Sequence, residues 1–234
     1  MEKINWLFIH GAGGSASTWR YLENEWDEPA QFINLGGRKE EPATDQQSVE
    51  AHAASLKPLL KPSSVVVGHS LGGLIALELA RQKEVIGAVL IGSHFTLPVH
   101  EKALAKLEKG QYPEGLLLAS FAAETPEELR EEERKYISQV KSEQTYHDFL
   151  ICDQYSNGKK ALTELSVPIL CLYGCEDKLI PPGAASALFS HHPEVKQTFI
   201  PGTGHYPMLE KPEAVREELL QFKSVLQKQG GYSL

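Results

Sequence analysis

Cysteine is scarce in this chain of 234 residues, which holds three: Cys152, Cys171 and Cys175. Three thiols cannot all pair within one chain and are too few for a disulfide framework, so a reducing, cytoplasmic compartment is expected. Cys171 and Cys175 lack the two-residue spacing of a zinc knuckle, and no other metal-ligand spacing is visible, so no metal is expected. Long apolar runs are missing as well. Trp6–Ile9 is shorter than the ~7–15 apolar residues of a signal-peptide core, and nothing approaches the ~20 of a membrane helix. Positive charge is in deficit, with 23 Lys and Arg against 31 Asp and Glu and a net charge of −8. Nucleic-acid affinity rests on Lys and Arg displacing condensed counterions, so nucleic acid and anionic membrane are poor partners. The chain also lacks internal repeats, low-complexity tracts and a flexible interdomain linker. Residues 1–234 therefore read as one domain, long enough to bury a core without disulfides or structural metal.

What is present alternates. Ile4–Ile9, Gln31–Leu35, Val65–Gly68, Val85–Ile91, Val167–Tyr173 and Val195–Ile200 are short aliphatic or β-branched runs ending at Gly, Pro or polar residues, and they read as six buried strands. Helical patterns lie between several of them, at Asp45–Leu60, Leu71–Arg81 and Ala184–Ser190. A final pattern at about Pro212–Gln227 spaces Val215, Leu219, Phe222 and Leu226 by three and four residues. This order predicts an α/β protein, a mostly parallel sheet of about six strands with helices on both faces. Ser93–Leu165 breaks the rhythm, having no convincing strand and a helical composition. Thr125-Pro126-Glu127-Glu128 supplies a capping Thr, a Pro at the first helical position and a Glu three residues after the cap, predicting a helix from about Pro126. The charge run Glu127–Lys135 reads as a solvated face, whereas Leu116, Leu117, Leu118, Phe121, Tyr146, Phe149, Leu150 and Tyr155 need burial. A helical cap insertion over one sheet edge, at about 93–165, would bury them. Gln229-Gly230-Gly231 reads as a loose tail.

Four loops carry chemistry. Gly68-His69-Ser70-Leu71-Gly72 follows the strand Val65–Val67 and opens a helix, forming a G-x-S-x-G pattern at a strand-to-helix turn. Such a turn lifts a serine clear of the sheet, its glycines let strand and helix approach, and the helix N-terminus adds a free N–H. A serine hydroxyl needs a base to take its proton, and the base needs a carboxylate to orient it. Asp177 lies in the loop after the Val167–Tyr173 strand, beside its rival Glu176, and His205 lies in the Gly-rich loop after the last strand. Most other histidines, including His52, His191 and His192, read as solvated side chains. After the first strand, His10-Gly11-Ala12-Gly13-Gly14 lacks the Lys-Ser/Thr of a P-loop and the spacing of a dinucleotide site. It reads as an oxyanion loop, with the N–H of Ala12 joining that of Leu71.

With these motifs in the order Ser70, Asp177, His205, the sequence resembles the α/β-hydrolase-fold serine hydrolases over essentially its whole length. The resemblance implies Ser70 as nucleophile, His205 as base and then acid, Asp177 as orienting carboxylate, and Ala12 and Leu71 as oxyanion donors. It places the cap at Ser93–Leu165 and requires no cofactor. Two features depart from the family pattern: with only three residues before the Ile4 strand, the antiparallel N-terminal hairpin is not expected, and Asn34–Glu41 stands where a common Asp-x-x-Gly-x-Gly-x-Ser loop would be. Ser rather than Asp at position 70 argues against dehalogenase and epoxide-hydrolase chemistry. The expected activity is hydrolysis of a small apolar carboxylic ester through an acyl-enzyme. Thioesterase, amidase or peptidase, carbon–carbon hydrolase and cofactor-free peroxidase remain open on the same residues, as does a non-enzymatic ligand receptor of the same fold.

Overall fold

The computed structural model describes residues 3–36 and 48–229. Six strands form one sheet: β1 (Asn5–Ile9), β2 (Ala30–Ile33), β3 (Ser64–His69), β4 (Val85–Ile91), β5 (Ile169–Gly174) and β6 (Lys196–Ile200). Their spatial order is β2-β1-β3-β4-β5-β6, and every pairing is parallel. The helices are α1 (Arg20–Glu23), α2 (Val49–Leu56), α3 (Leu71–Leu79), α4 (Glu101–Glu108), α5 (Glu114–Ala119), α6 (Glu127–Ser138), α7 (Ser142–Gln154), α8 (Gly158–Thr163), α9 (Ala184–His191), α10 (Pro207–Glu210) and α11 (Pro212–Gln229). Five of them, α4 to α8, fall between β4 and β5, in the interval the sequence leaves without a strand.

The alternation of side chains along each strand divides the core in two. Leu7, Ile9, Val66, Ala88, Leu90, Ile169 and Cys171 point to one face, where α2, α3 and α8 cover them. Trp6, Phe8, Val65, Val67, Val89, Ile91, Leu170 and Leu172 point to the other, where they meet Val215, Leu219 and Phe222 of α11. Both faces are dry, which is why the central strands are continuous apolar runs. The outer strands are not: β6 is exposed at Lys196 and Phe199, and β2 is only partly buried along its length. As edge strands they lack a neighbour on one side among the described residues, so the expectation of six buried strands holds for the inner four.

Several local expectations shift. Helix α2 begins at Val49, capped by the Ser48 hydroxyl, which accepts the Ala51 N–H at 3.1 Å. Such a cap is worth about 1 kcal/mol. A 3-10 turn at Lys57–Leu59 replaces the last turn expected of that helix, and its expected start at 45–47 lies outside the described residues. The loop at 37–41 and the tail at 230–231 lie outside them too, while Gln229 ends α11. Thr125 does not cap α6. Pro126 takes the N-cap position, its carbonyl accepting from Leu129 and Arg130, and the Thr125 hydroxyl turns away to donate to Glu210 at 2.5 Å. The charged face of α6 is not wholly solvated either: Glu133 is 1% exposed and takes the Arg20 guanidinium at 2.8 Å. His52 is buried, because it shares the face of α2 that carries Val49, Ala53 and Leu56 and packs against α3.

Helix α3 is buried on every side, which fits a sequence with little polar content beyond Glu78. Glu78 itself takes the Tyr155 hydroxyl at 2.7 Å and Arg81 at 3.0 Å. The approach of α3 to β3 is set by Gly68, where an added Cβ would stand 2.0 Å from the Gly72 carbonyl oxygen. That oxygen belongs to backbone, which has no rotamer to escape by. Gly68→Ala is therefore expected to cost about 3 kcal/mol or more, at the upper end for overpacking. Urea denaturation of the variant beside the wild type measures it, and a loss under 1 kcal/mol would show that the turn yields.

Candidate active site

The chain leaves β1 toward β2 on one side, then returns to β3 and runs outward through β4, β5 and β6 on the other. A sheet whose connections diverge in this way opens a crevice at the carboxyl ends of the strands where the direction changes. The loop holding Ala12 follows β1 and Ser70 follows β3, so both stand at that crevice. Ser70 has φ +51° and ψ −116°, a region L-residues rarely occupy, at a typical cost of about 1–3 kcal/mol. The turn is held from both sides. Ser70 N–H donates to the Ile91 carbonyl at 3.0 Å, and its own carbonyl accepts the Ser93 hydroxyl and the Gly73 N–H, each at 2.8 Å.

His205 and Asp177 come from loops after the neighbouring strands β6 and β5. His205 Nδ1 lies 2.9 Å from Asp177 Oδ2, and the two side chains are only 6% and 4% exposed. A carboxylate can only accept, so Nδ1 carries the proton and Nε2 of the neutral ring keeps its lone pair. Asp177 Oδ1 accepts from the N–H groups of Leu179 and Ile180 at 2.8 and 3.2 Å. Burial alone would push this carboxyl up, but the His205 ring, its hydrogen bond and the two N–H groups together hold it below the ordinary carboxylate value. Glu176 turns elsewhere, accepting the Ala123 N–H at 2.9 Å.

Ser70, His205 and Ala12 line one cavity of about 230 Å³. Its remaining wall is mostly apolar and comes largely from the segment between β4 and β5, including Leu97, Val99, Tyr112, Leu116 and Phe149. Of the apolar residues that need burial, Phe121 and Tyr155 enter the core, Leu117 faces a second cavity of about 360 Å³, and Leu118 stays 47% exposed. Leu71 is the first residue of α3, where a helix leaves its N–H groups without intrahelical partners. Among the described residues no group of three or more His, Cys, Asp or Glu could hold a metal ion, and no helix is long and apolar enough to cross a membrane.

Comparison with known proteins meets this geometry. Residues 6–218 match the model of the alpha/beta hydrolase family. The chain belongs to that family. Among relatives of this alpha/beta hydrolase, the biotin biosynthesis bifunctional protein BioHC of Saccharophagus degradans is 26% identical, the match covering 92% of this chain and 43% of that protein. The chain spans less than half the length of such bifunctional relatives. The pimeloyl-[acyl-carrier protein] methyl ester esterase of Aromatoleum aromaticum is also 26% identical, with 91% of this chain and 95% of that one covered. A solved structure of a thermophilic esterase superposes with a TM-score of 0.82 at 27% identity, covering 96% and 91%.

The alpha/beta hydrolase fold surrounds these residues with supports that sequence reasoning does not single out. The His205 N–H donates to the Ser120 carbonyl at 2.7 Å, and His69 Nε2 lies 3.0 Å from the His205 carbonyl, which makes Nε2 the protonated nitrogen. Burial, reinforced by the adjacent His205, lowers the His69 pKa well below its usual value, so His69 is neutral. Glu210 accepts from Gly204 N–H at 2.7 Å, Ala122 N–H at 2.9 Å and the Thr125 hydroxyl, tying the His205 loop to the start of α6. No local sequence signal marks Ser120 or Glu210, since their roles arise where distant segments cross.

The lowered Asp177 pKa has a consequence for stability. A carboxyl held below its unfolded value of about 3.9 stabilises the fold above that pH, and the contribution disappears as pH falls through the folded value. Wild type should therefore exceed Asp177→Asn in urea midpoint at pH 6, with the gap closing below about pH 4. A gap that widened in acid would contradict this assignment of the charge.

Proposed function

We propose that the chain is a serine esterase acting on small apolar carboxylic esters through an acyl-enzyme, with Ser70, His205 and Asp177 as its triad. The observation that carries this reading is the buried 2.9 Å contact of His205 Nδ1 with Asp177 Oδ2, which leaves Nε2 unengaged by the carboxylate on a ring that lines the same cavity as Ser70, itself on a strained turn. Nε2 takes the Ser70 proton as Oγ attacks the ester carbonyl, and Asp177 stabilises the imidazolium that forms. The negative oxygen of the tetrahedral intermediate is met by the N–H groups of Ala12 and Leu71. Collapse expels the alcohol, which takes the proton from Nε2, and water then repeats the sequence on the acyl-enzyme. No step calls for a cofactor.

We also assign the helices at 93–165 as a cap, since residues of that segment supply most of the apolar wall above Ser70. The names of the Aromatoleum aromaticum relative and of the thermophilic esterase fit ester hydrolysis. The three free thiols suit a reducing compartment such as the cytoplasm.

Two measurements test the reading. A fluorophosphonate should label wild type at Ser70, and Ser70→Ala should lower kcat by roughly 10³-fold or more on a panel of esters, thioesters and amides. Undiminished turnover by Ser70→Ala overturns it, and preference for a thioester or amide reassigns the bond. Within the ester series each acyl CH₂ buried against the wall is worth up to about 0.8 kcal/mol, or about fourfold in kcat/KM, until the cavity is full. Phe149→Ala should move that limit to longer chains; an unchanged profile would exclude Phe149 from the acyl pocket.

A further inference from the structure

Helix α7 does more than line the cavity with Phe149. Asp148, on the same helix, is completely buried, and its Oδ2 accepts the Gly13 N–H at 2.9 Å. Its Oδ1 accepts the Gln144 amide one helical turn back, at 3.0 Å. Thr145, Asp148 and Phe149 thus share a face that rests on the loop after β1. Gly13 sits at φ +66°, and an added Cβ there would stand 2.9 Å from Thr145 Cγ2 and 3.5 Å from Phe149 Cε2. Helix and loop are in contact at a residue where only glycine leaves room.

Gly13 follows Ala12, whose N–H is assigned above to the oxyanion, and this inference rests on that assignment. The Ala12 N–H belongs to the same peptide plane as the Gly11 carbonyl. That carbonyl is held by His10 Nδ1 at 2.8 Å and by the Gly14 N–H at 3.2 Å. The Leu35 N–H donates to His10 Nε2 at 3.0 Å, so the His10 ring is neutral and Nδ1 is the donor. These bonds fix the plane before Ala12. Asp148 fixes the plane after it.

We infer that Asp148 is a positioning residue, its acceptor oxygen on Gly13 N–H holding the Ala12 N–H on the developing oxyanion and making the acyl wall and the oxyanion loop one rigid unit. Its charge is not what the role requires, because a carboxylate near a developing oxyanion opposes it. An acceptor in the same place is enough. Asparagine supplies one: its Oδ1 takes the Gly13 N–H, and Gln144 turns its amide to accept from Nδ2.

The test measures kcat and KM on one short-chain ester, with the affinity of a boronic acid that forms a tetrahedral adduct on Ser70. Asp148→Ala should lower kcat about 10- to 10²-fold with KM within about threefold, since the donor is displaced and not removed. Boronate affinity should fall by the factor lost in kcat/KM, while the unreactive amide isostere of the substrate binds as before. Asp148→Asn should stay within about threefold of wild type. A folded Asp148→Ala with wild-type kcat, a kcat loss that leaves boronate affinity unmoved, or an Asp148→Asn as impaired as Asp148→Ala would each overturn the inference. Should Asp148→Ala not fold, amide exchange in the wild type decides: the Gly13 N–H should exchange in step with the amides of α7, and fast exchange at Gly13 alone would overturn it. Wild type inactive on every ester would overturn the functional reading. An active wild type with an unmoved Asp148→Ala would overturn this inference alone.

Discussion

Everything at the crevice depends on the backbone of Ser70 staying where an L-residue does not rest of its own accord. Its φ of +51° is a local loss of about 1–3 kcal/mol, so the packing on either side of the turn must exceed it. Leu74, Ile75 and Leu77 of α3 are wholly buried against the sheet, and each such side chain contributes roughly 1.5–3 kcal/mol. The helix cannot slide away to relax the turn without exposing them. It cannot move closer either, since Gly68 and Gly72 already bring backbone against backbone. The Ser70 turn is fixed between a hydrophobic gain and a steric wall.

Around that fixed point the buried polar groups divide by the company they keep. Asp177 and Glu210 both accept three hydrogen bonds near His205, yet their carboxyl pKa values move in opposite directions. For Asp177, burial is outweighed by the His205 ring and by the N–H groups of Leu179 and Ile180, and the pKa falls. For Glu210, burial dominates, the neighbouring Glu176 adds a like charge, and the pKa rises. Of the two, Asp177 meets the His205 imidazole, while Glu210 ties loops together. His69 stays neutral against the His205 carbonyl, so it adds no competing positive charge.

Residues placed by local pattern were legible in the sequence. Ser70 is announced by glycines two residues to either side, and Asp177 and His205 by the strands they follow, because a parallel sheet sends all its strand ends to one edge. The four inner strands declared themselves by apolar runs that only two-sided burial requires. What could not be read depends on segments meeting across long sequence separations. Asp148 contacts Gly13 over 135 positions, and Ala122 contacts Glu210 over 88. The same limit explains Thr125 and Glu133. Their local patterns, a capping box and a charged helix face, are genuine, but Glu210 and Arg20 offered partners that local reasoning does not contain.

The segment between β4 and β5 therefore stands in a different relation to the site than an inserted roof would. A roof contributes apolar wall and can be lifted away with the chemistry left in place. Here the His205 N–H is held by the Ser120 carbonyl, and the Gly204 N–H shares Glu210 with the Ala122 N–H. At the opposite side of the crevice, the Gly13 N–H is held by Asp148. Both loops that converge on Ser70 are thus hydrogen-bonded to this segment or through it. Removing it would leave buried N–H groups without acceptors, at about 1–3 kcal/mol each, and would free the two loops that flank Ser70. Cavity shape and loop geometry are consequently coupled in this protein: a change in the helices that reshapes the apolar wall also strains the frame of the loop after β1. A side chain that faces the cavity without touching the loop after β1, such as Leu116, is where the two can be varied apart.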